Sequence, residues 1–196
     1  MCQDLEVAES HQYLSALEAG LSEIRLAPRN EGQLDMIVRR PAVGEREVLT
    51  EAVLDTADGL VGDSWKTRAG RRSGGAGPNP DMQLNLMGSR AIDLIAGGRD
   101  RWPLAGDQLF LDLDLSAANL PPGTRLALGE AVIEIAAEPH TGCGKFAARF
   151  GVDATKFVNS TIGRALNLRG VNARVVQAGR VRVGDLVRRL RHTSPA

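Results

Sequence analysis

A chain of 196 residues and 20.9 kDa, 43% of them hydrophobic, holds enough apolar material for one ordinary domain with a short appendage. Its 24 Lys plus Arg cancel 24 Asp plus Glu, with a pI near 6.8, so no net field favours nucleic acid or an anionic membrane. Cys2 and Cys143 do not form a pattern that staples a secreted fold, and no window reaches the length and apolarity of a membrane span, so the expected setting is a reducing cytoplasm.

Leu5, Ala8, Leu14, Leu17 and Leu21 recur at helical spacing, which predicts an amphipathic packing or dimer helix within an N-terminal extension, residues 1–32. The domain proper is expected over 33–190, followed by a basic tail at 191–196. Alternation over 33–39 puts Leu34, Met36 and Val38 on one strand face, and 48–54 reads as a second strand running into a turn held by Gly59, Gly62 and Asp63. Residues 66–80 carry Arg68, Arg71 and Arg72 among glycines and prolines with no acid, the composition of a cationic loop.

A strand over 81–86 would place Gln83 and Asn85 on one face, and Ser89 would then cap a helix ending at Gly97-Gly98. Further strands are expected at 108–113, 125–128, 131–137, 173–177 and 185–190, with helices at 145–150 and 153–166. Short strands punctuated by Gly106-Asp107, Gly129-Glu130 and Gly184-Asp185 indicate a mainly β fold, a barrel or sandwich with peripheral helices.

The run Glu-Pro-His-Thr-Gly-Cys-Gly-Lys-Phe delivers His140, Thr141 and Cys143 from a strand end to the start of a helix. A helix N-terminus, an ammonium and an imidazolium each favour a thiolate, and Lys145 and His140 would supply the last two. Lysine occurs only at Lys66, Lys145 and Lys156, so its position two residues from the sulfur stands out. Gly142 and Gly144 would clear space for a flat ligand. A passive half-buried thiol remains an alternative. A Cys-His zinc site lacks ligands, since Cys2, His11 and His192 are all terminal, and a Cys-His hydrolase lacks a second well-placed histidine.

From 33 to 190 the chain resembles the MOSC domain, named for the C-terminal domain of molybdenum cofactor sulfurases. The motifs are, in order, Gly-Leu-Val-Gly-Asp, Met-Gln-Leu-Asn-Leu, Leu-Pro-Pro-Gly-Thr-Arg-Leu-Ala-Leu-Gly-Glu, His-Thr-Gly-Cys-Gly-Lys-Phe, Arg-Gly-Val-Asn-Ala-Arg and Val-Arg-Val-Gly-Asp. The resemblance implies a barrel with an N-terminal helix, in which Cys143 either ligates molybdenum held by a pterin dithiolene or carries sulfur as a persulfide. It implies reduction of N-hydroxylated compounds in members that act as enzymes, with electrons or sulfur from partner proteins, because the chain shows no flavin, iron-sulfur or pyridoxal-phosphate motif. A molybdopterin ligand would engage Cys143, His140, Lys145 and Thr141, and candidates to hold its phosphate and ring are Arg68, Arg71, Arg72, Gln83, Asn85, Arg101, Arg169 and Asn172. A non-catalytic domain that binds a small anion or docks a partner, with a structural Cys143, is the competing reading; no nucleic acid or membrane partner is expected, and a homodimer stays open.

Overall fold

The computed structural model describes residues 11–69 and 77–190. Helices α1 (Leu14–Ala19) and α2 (Leu21–Arg25) form the leading segment, with Leu17 fully buried; Leu5 and Ala8 lie outside the described residues. Strand β1 (Glu31–Arg39) follows, then β2 (Glu47–Leu49), β3 (Glu51–Asp55), β4 (Gly59–Leu60) and helix α3 (Trp65–Ala69). Next come β5 (Leu84–Gly88), α4 (Ser89–Ala96), β6 (Leu109–Asp112), β7 (Arg125–Leu128) and β8 (Ala131–Ile135). Helices α5 (Gly144–Asn159) and α6 (Thr161–Ala165) precede β9 (Val171–Gln177), β10 (Gly179–Arg182) and β11 (Leu186–Arg189).

Seven strands close a barrel in the order β11-β7-β8-β9-β5-β6-β1, with β1 returning to pair β11. Closure removes the free edges that an open sheet would expose. Every pairing in the ring is antiparallel except β5–β6, which the α4 crossover makes parallel. Strand β2 extends the sheet beyond β1, and β10-β3-β4 forms a small second sheet. The mainly β fold with an N-terminal helix is therefore as expected.

Two apolar cores share the barrel wall. One fills the barrel, with Leu34, Ile37, Leu86, Leu111, Ile133 and Val187; the other lies between the wall and α1, α4 and α5, with Met36, Val38, Ile92, Phe110, Phe146 and Phe157. Strand β1 feeds both, because a bulge between Leu34 and Met36 reverses its alternation. An extra residue shifts the side-chain period by one, so Leu34 faces inward while Met36 and Val38 face the helices, which corrects the expectation of one common face.

Other boundaries move for local reasons. The Asn79 side chain accepts from Asp81 N at 3.1 Å and caps a short 3-10 turn, so the strand expected at 81–86 starts at Leu84. Ser89 is not the cap of α4; Gly88 holds that position, and Ser89 Oγ is buried without a partner among the described residues. The strand at 48–54 divides at Thr50, whose carbonyl accepts from Val183 N. Residues 66–69 of the expected cationic loop are the continuation of α3, which starts on the buried Trp65, whose N–H donates to Asp63 Oδ1. Gly151, at φ 88°, interrupts α5 as expected, but the Asp153 carboxylate accepts from Leu14 N and so ties α1 to α5. The helix expected to reach 166 breaks at Ser160, whose Oγ caps α6 through Gly163 N. Strand β10 was not expected.

Candidate functional site

The segment after β8 is pinned by backbone and amide bonds: Ala136 N donates to Asn172 O, and Asn172 Nδ2 donates to Glu138 O at 3.0 Å. Gly142 is clasped by Asn159, which accepts from its N–H and donates to its carbonyl at 3.0 Å each. A Cβ on Gly142 would come within 2.9 Å of Val158, so this glycine serves packing against α5 instead of clearing space for a ligand. At Gly144 a Cβ would meet nothing within 4 Å, and there the expected clearance is present.

Cys143 occupies the N-cap of α5 and is exposed. Burial pushes its thiol pKa up, but the backbone N–H groups of Phe146 and Lys145, with the charges of Arg169 and Lys145, outweigh that and hold it below the ordinary value. His140 contributes no positive charge: burial, then the nearby Arg169, pushes its pKa down to about 4, against the smaller pull of Asp107. The imidazole is therefore neutral near pH 7, and the imidazolium expected beside the sulfur is replaced by Lys145 and Arg169.

His140 Nδ1 sits 3.5 Å from Asp107 Oδ1, and neither atom has a hydrogen-bond partner among the described residues. Arg169 holds Asp107 from the other side, with Nη1 at 2.7 Å from Oδ2, while Nη2 donates to Ala105 O and the guanidinium lies 4.8 Å from the Phe146 ring centre. A second buried pair joins Arg40 Nε to Asp63 Oδ2 at 2.9 Å. Arg40 Nη1 also donates to Asn85 Oδ1 and Gly106 O, and Asn85 Nδ2 donates to Asn172 Oδ1 at 2.6 Å. A polar chain thus runs from Asp63 through Arg40, Asn85 and Asn172 to the backbone just before His140.

The sequence model of the MOSC domain matches residues 104–188. That segment, from just before β6 to β11, is similar to the MOSC domain. Its fold is similar to the YuaD protein from Bacillus subtilis, with 18% identity over 80% of this chain and 94% of that one and a TM-score of 0.57. It is also similar to YiiM from Escherichia coli, at 19% identity over 83% and 72% and a TM-score of 0.52. YiiM from Geobacillus stearothermophilus gives 15%, 82% and 75%, and 0.53. No curated protein matches the sequence.

The candidate residues fall into distinct settings. Cys143, Lys145 and Thr141 are exposed together at the start of α5, and His140, three residues before the sulfur, is mostly buried, at 15% side-chain exposure. Gln83, Asn85 and Asn172 have both ends of their amides engaged by the protein: Gln83 donates to Thr56 O and accepts from Val175 N. Arg101 donates to the carbonyls of Ala96 and Arg149. Arg71, Arg72 and the Arg68 side chain lie outside the described residues. A cleft of about 90 Å³ between α2, α4 and the β6 end contains none of these candidates.

Sequence reasoning missed Arg40 and took Asp63 and Asp107 for turn residues. The usable signal was a charge abutting an apolar strand, Arg40 after β1 and Asp107 before β6. The depressed thiol has a direct test. In a Cys2→Ser background, the rate of Cys143 alkylation by iodoacetamide should rise with pH to a midpoint below the roughly 8.5 of a free thiol, and Lys145→Met should move that midpoint up. A midpoint at or above the free value in the parent would show that burial dominates.

Proposed function

We propose that this MOSC-like domain binds a molybdenum cofactor at Cys143, and that the loaded protein acts on small N-hydroxylated compounds with electrons from a separate redox protein. The observation that carries the reading is an exposed thiol, biased toward thiolate by helix N–H groups and by Lys145 and Arg169, with open space at Gly144. A soft thiolate suits molybdenum. Among the described residues no group of three or more His, Cys, Asp or Glu converges on a metal site; a cofactor held at Cys143 would bring its own dithiolene ligands.

The cofactor, when bound, supplies a soft metal able to take part in oxygen removal and electron transfer. The chain's own residues set the stage. Lys145 and Thr141 are exposed within two residues of the sulfur, while Arg169, Asp107 and the neutral His140 form a buried group from which Arg169 acts on the thiol. Gln83, Asn85 and Asn172 fix the strands from which the site is hung, and Arg101 braces the α5 backbone at Arg149. The same exposed thiolate also suits a sulfur carrier: it would attack the outer sulfur of a donor persulfide, forming a new S–S bond as the donor thiolate leaves.

Protein purified from cells that make the cofactor should contain molybdenum and pterin, and Cys143→Ala should lower both by more than about tenfold. Equal, negligible content in the two proteins would remove the ligand role. Intact-mass analysis after incubation with a sulfur donor separates the carrier reading, which requires a sulfur-sized gain lost on mild reduction.

A further inference from the structure

Most arginines on the outside of this barrel face a carboxylate: Arg39 meets Glu47, Arg90 meets Asp112, Arg125 and Arg174 meet Glu134, Arg182 meets Glu51, and Arg188 meets Glu31. Arg46 and Arg149 form no ion pair among the described residues. Arg46 donates to the carbonyls of Pro103 and Glu45, and Arg149 to that of Leu104. Their guanidiniums nevertheless converge: the position that a Cβ would take on Gly106 lies 3.4 Å from Arg46 Nη2 and 3.7 Å from Arg149 Nη1.

Two cations meeting over a glycine, hydrogen-bonded to carbonyls and with Asp63 and Asp107 acting only through space on Arg46, repel one another at a partly desolvated spot. Burial first, then Arg149 and Arg40, depress the pKa of Arg46 against the smaller pulls of Asp63 and Asp107, and it still keeps its charge at neutral pH. An anion placed between them relieves that repulsion and accepts the free N–H groups, and a guanidinium pair matches the planar oxygen edges of a phosphate. Gly106 is also continuous with the candidate site: its carbonyl accepts from Arg40 at 2.6 Å, and the next residue is Asp107, which faces His140.

We propose that Arg46 and Arg149, closing over Gly106, form a receptor for a phosphate group on the ligand of the Cys143 site. This deepens the cofactor reading and rests on it for whose phosphate is held, the cofactor's or a phosphorylated substrate's; the receptor itself is a property of the free protein.

The experiment uses inorganic phosphate on the cofactor-free full chain, followed by calorimetry and by the side-chain Nε–H resonances of arginine. Phosphate should shift the Arg46 and Arg149 signals together and saturably, and Arg46→Gln or Arg149→Gln should each weaken binding about tenfold, as loss of a charged hydrogen bond predicts. Arg46→Lys should recover part of it, and Arg188→Gln, on the far ion pair with Glu31, should change nothing. Melting curves of all variants check that the fold is kept. Repeating the titration on cofactor-loaded protein assigns the source: lost phosphate binding means that the cofactor's phosphate fills the receptor, retained binding that a substrate's does. Absence of saturable shifts in the parent, or an affinity in both glutamine variants equal to the parent's, overturns the receptor, and leaves the molybdenum content of the Cys143 comparison to stand or fall separately.

Discussion

Gly170→Ala should cost the protein more than about 4 kcal/mol, the range reserved for severe backbone or core damage. Gly170 has φ +99°, and a Cβ there would stand 1.9 Å from the carbonyl oxygen of Leu86 and 3.2 Å from the Met87 Cα. Those atoms belong to β5 in the barrel wall, paired with β9 on one side and β6 on the other, so they cannot swing aside as a side-chain end could. The glycine sits between Arg169 and β9, which carries Asn172, and lets the chain enter the barrel in contact with its neighbour. Gly123→Ala is the control: it has a similar φ of +86° but nothing within 4 Å of a Cβ, so it should lose only the backbone strain, about 1–2 kcal/mol. Urea unfolding of both variants decides the matter. Equal losses would mean that the left-handed backbone, and not the crowding at Leu86, accounts for the cost.

That glycine also shows where the sequence was readable. Arg-Gly-Val-Asn stood out only through the family resemblance, whereas the helix ends at Gly97 and Gly151 were legible because a left-handed backbone favours glycine. The four Gly-acid turns were less transparent. Gly62-Asp63, Gly106-Asp107, Gly129-Glu130 and Gly184-Asp185 look alike as local signals. Glu130 and Asp185 stay outside and accept from the backbone N–H groups of Arg180 and Arg182, as turn residues do. Asp63 and Asp107 instead turn fully inward to buried arginines 23 and 62 residues away. Nothing local separates the two kinds, because the choice is made by barrel closure, which brings Arg40 and Arg169 to those corners. The bulge in β1 was hidden for the same reason: its extra residue is visible only against the register of β6.

Arg169→Met should destabilise the protein by about 3–5 kcal/mol, since it leaves the fully buried Asp107 carboxylate without its cation. Removing both charges together should hurt less. Arg169→Met/Asp107→Leu replaces a desolvated ion pair by apolar volume, a change often neutral or better, so its loss should fall well below that of Arg169→Met alone. Additive losses in denaturant unfolding would show that each residue supports the fold through other contacts. His140 gives this pair a second readout. Its pKa of about 4 lies below the ordinary 6.5, so as pH falls through that window the unfolded chain takes up a proton that the folded chain refuses, and the residue's contribution to stability declines. Arg169 is the second cause of that depression after burial, and Asp107 opposes it. In Arg169→Met the imidazole should therefore titrate above 4, and in the double variant, with neither charge beside it, the midpoint should fall back toward the value that burial alone imposes. An NMR titration of His140 that stays at the parent's midpoint in Arg169→Met would remove Arg169 from the electrostatics of the site and, with it, one of the two side-chain cations invoked for the Cys143 thiolate.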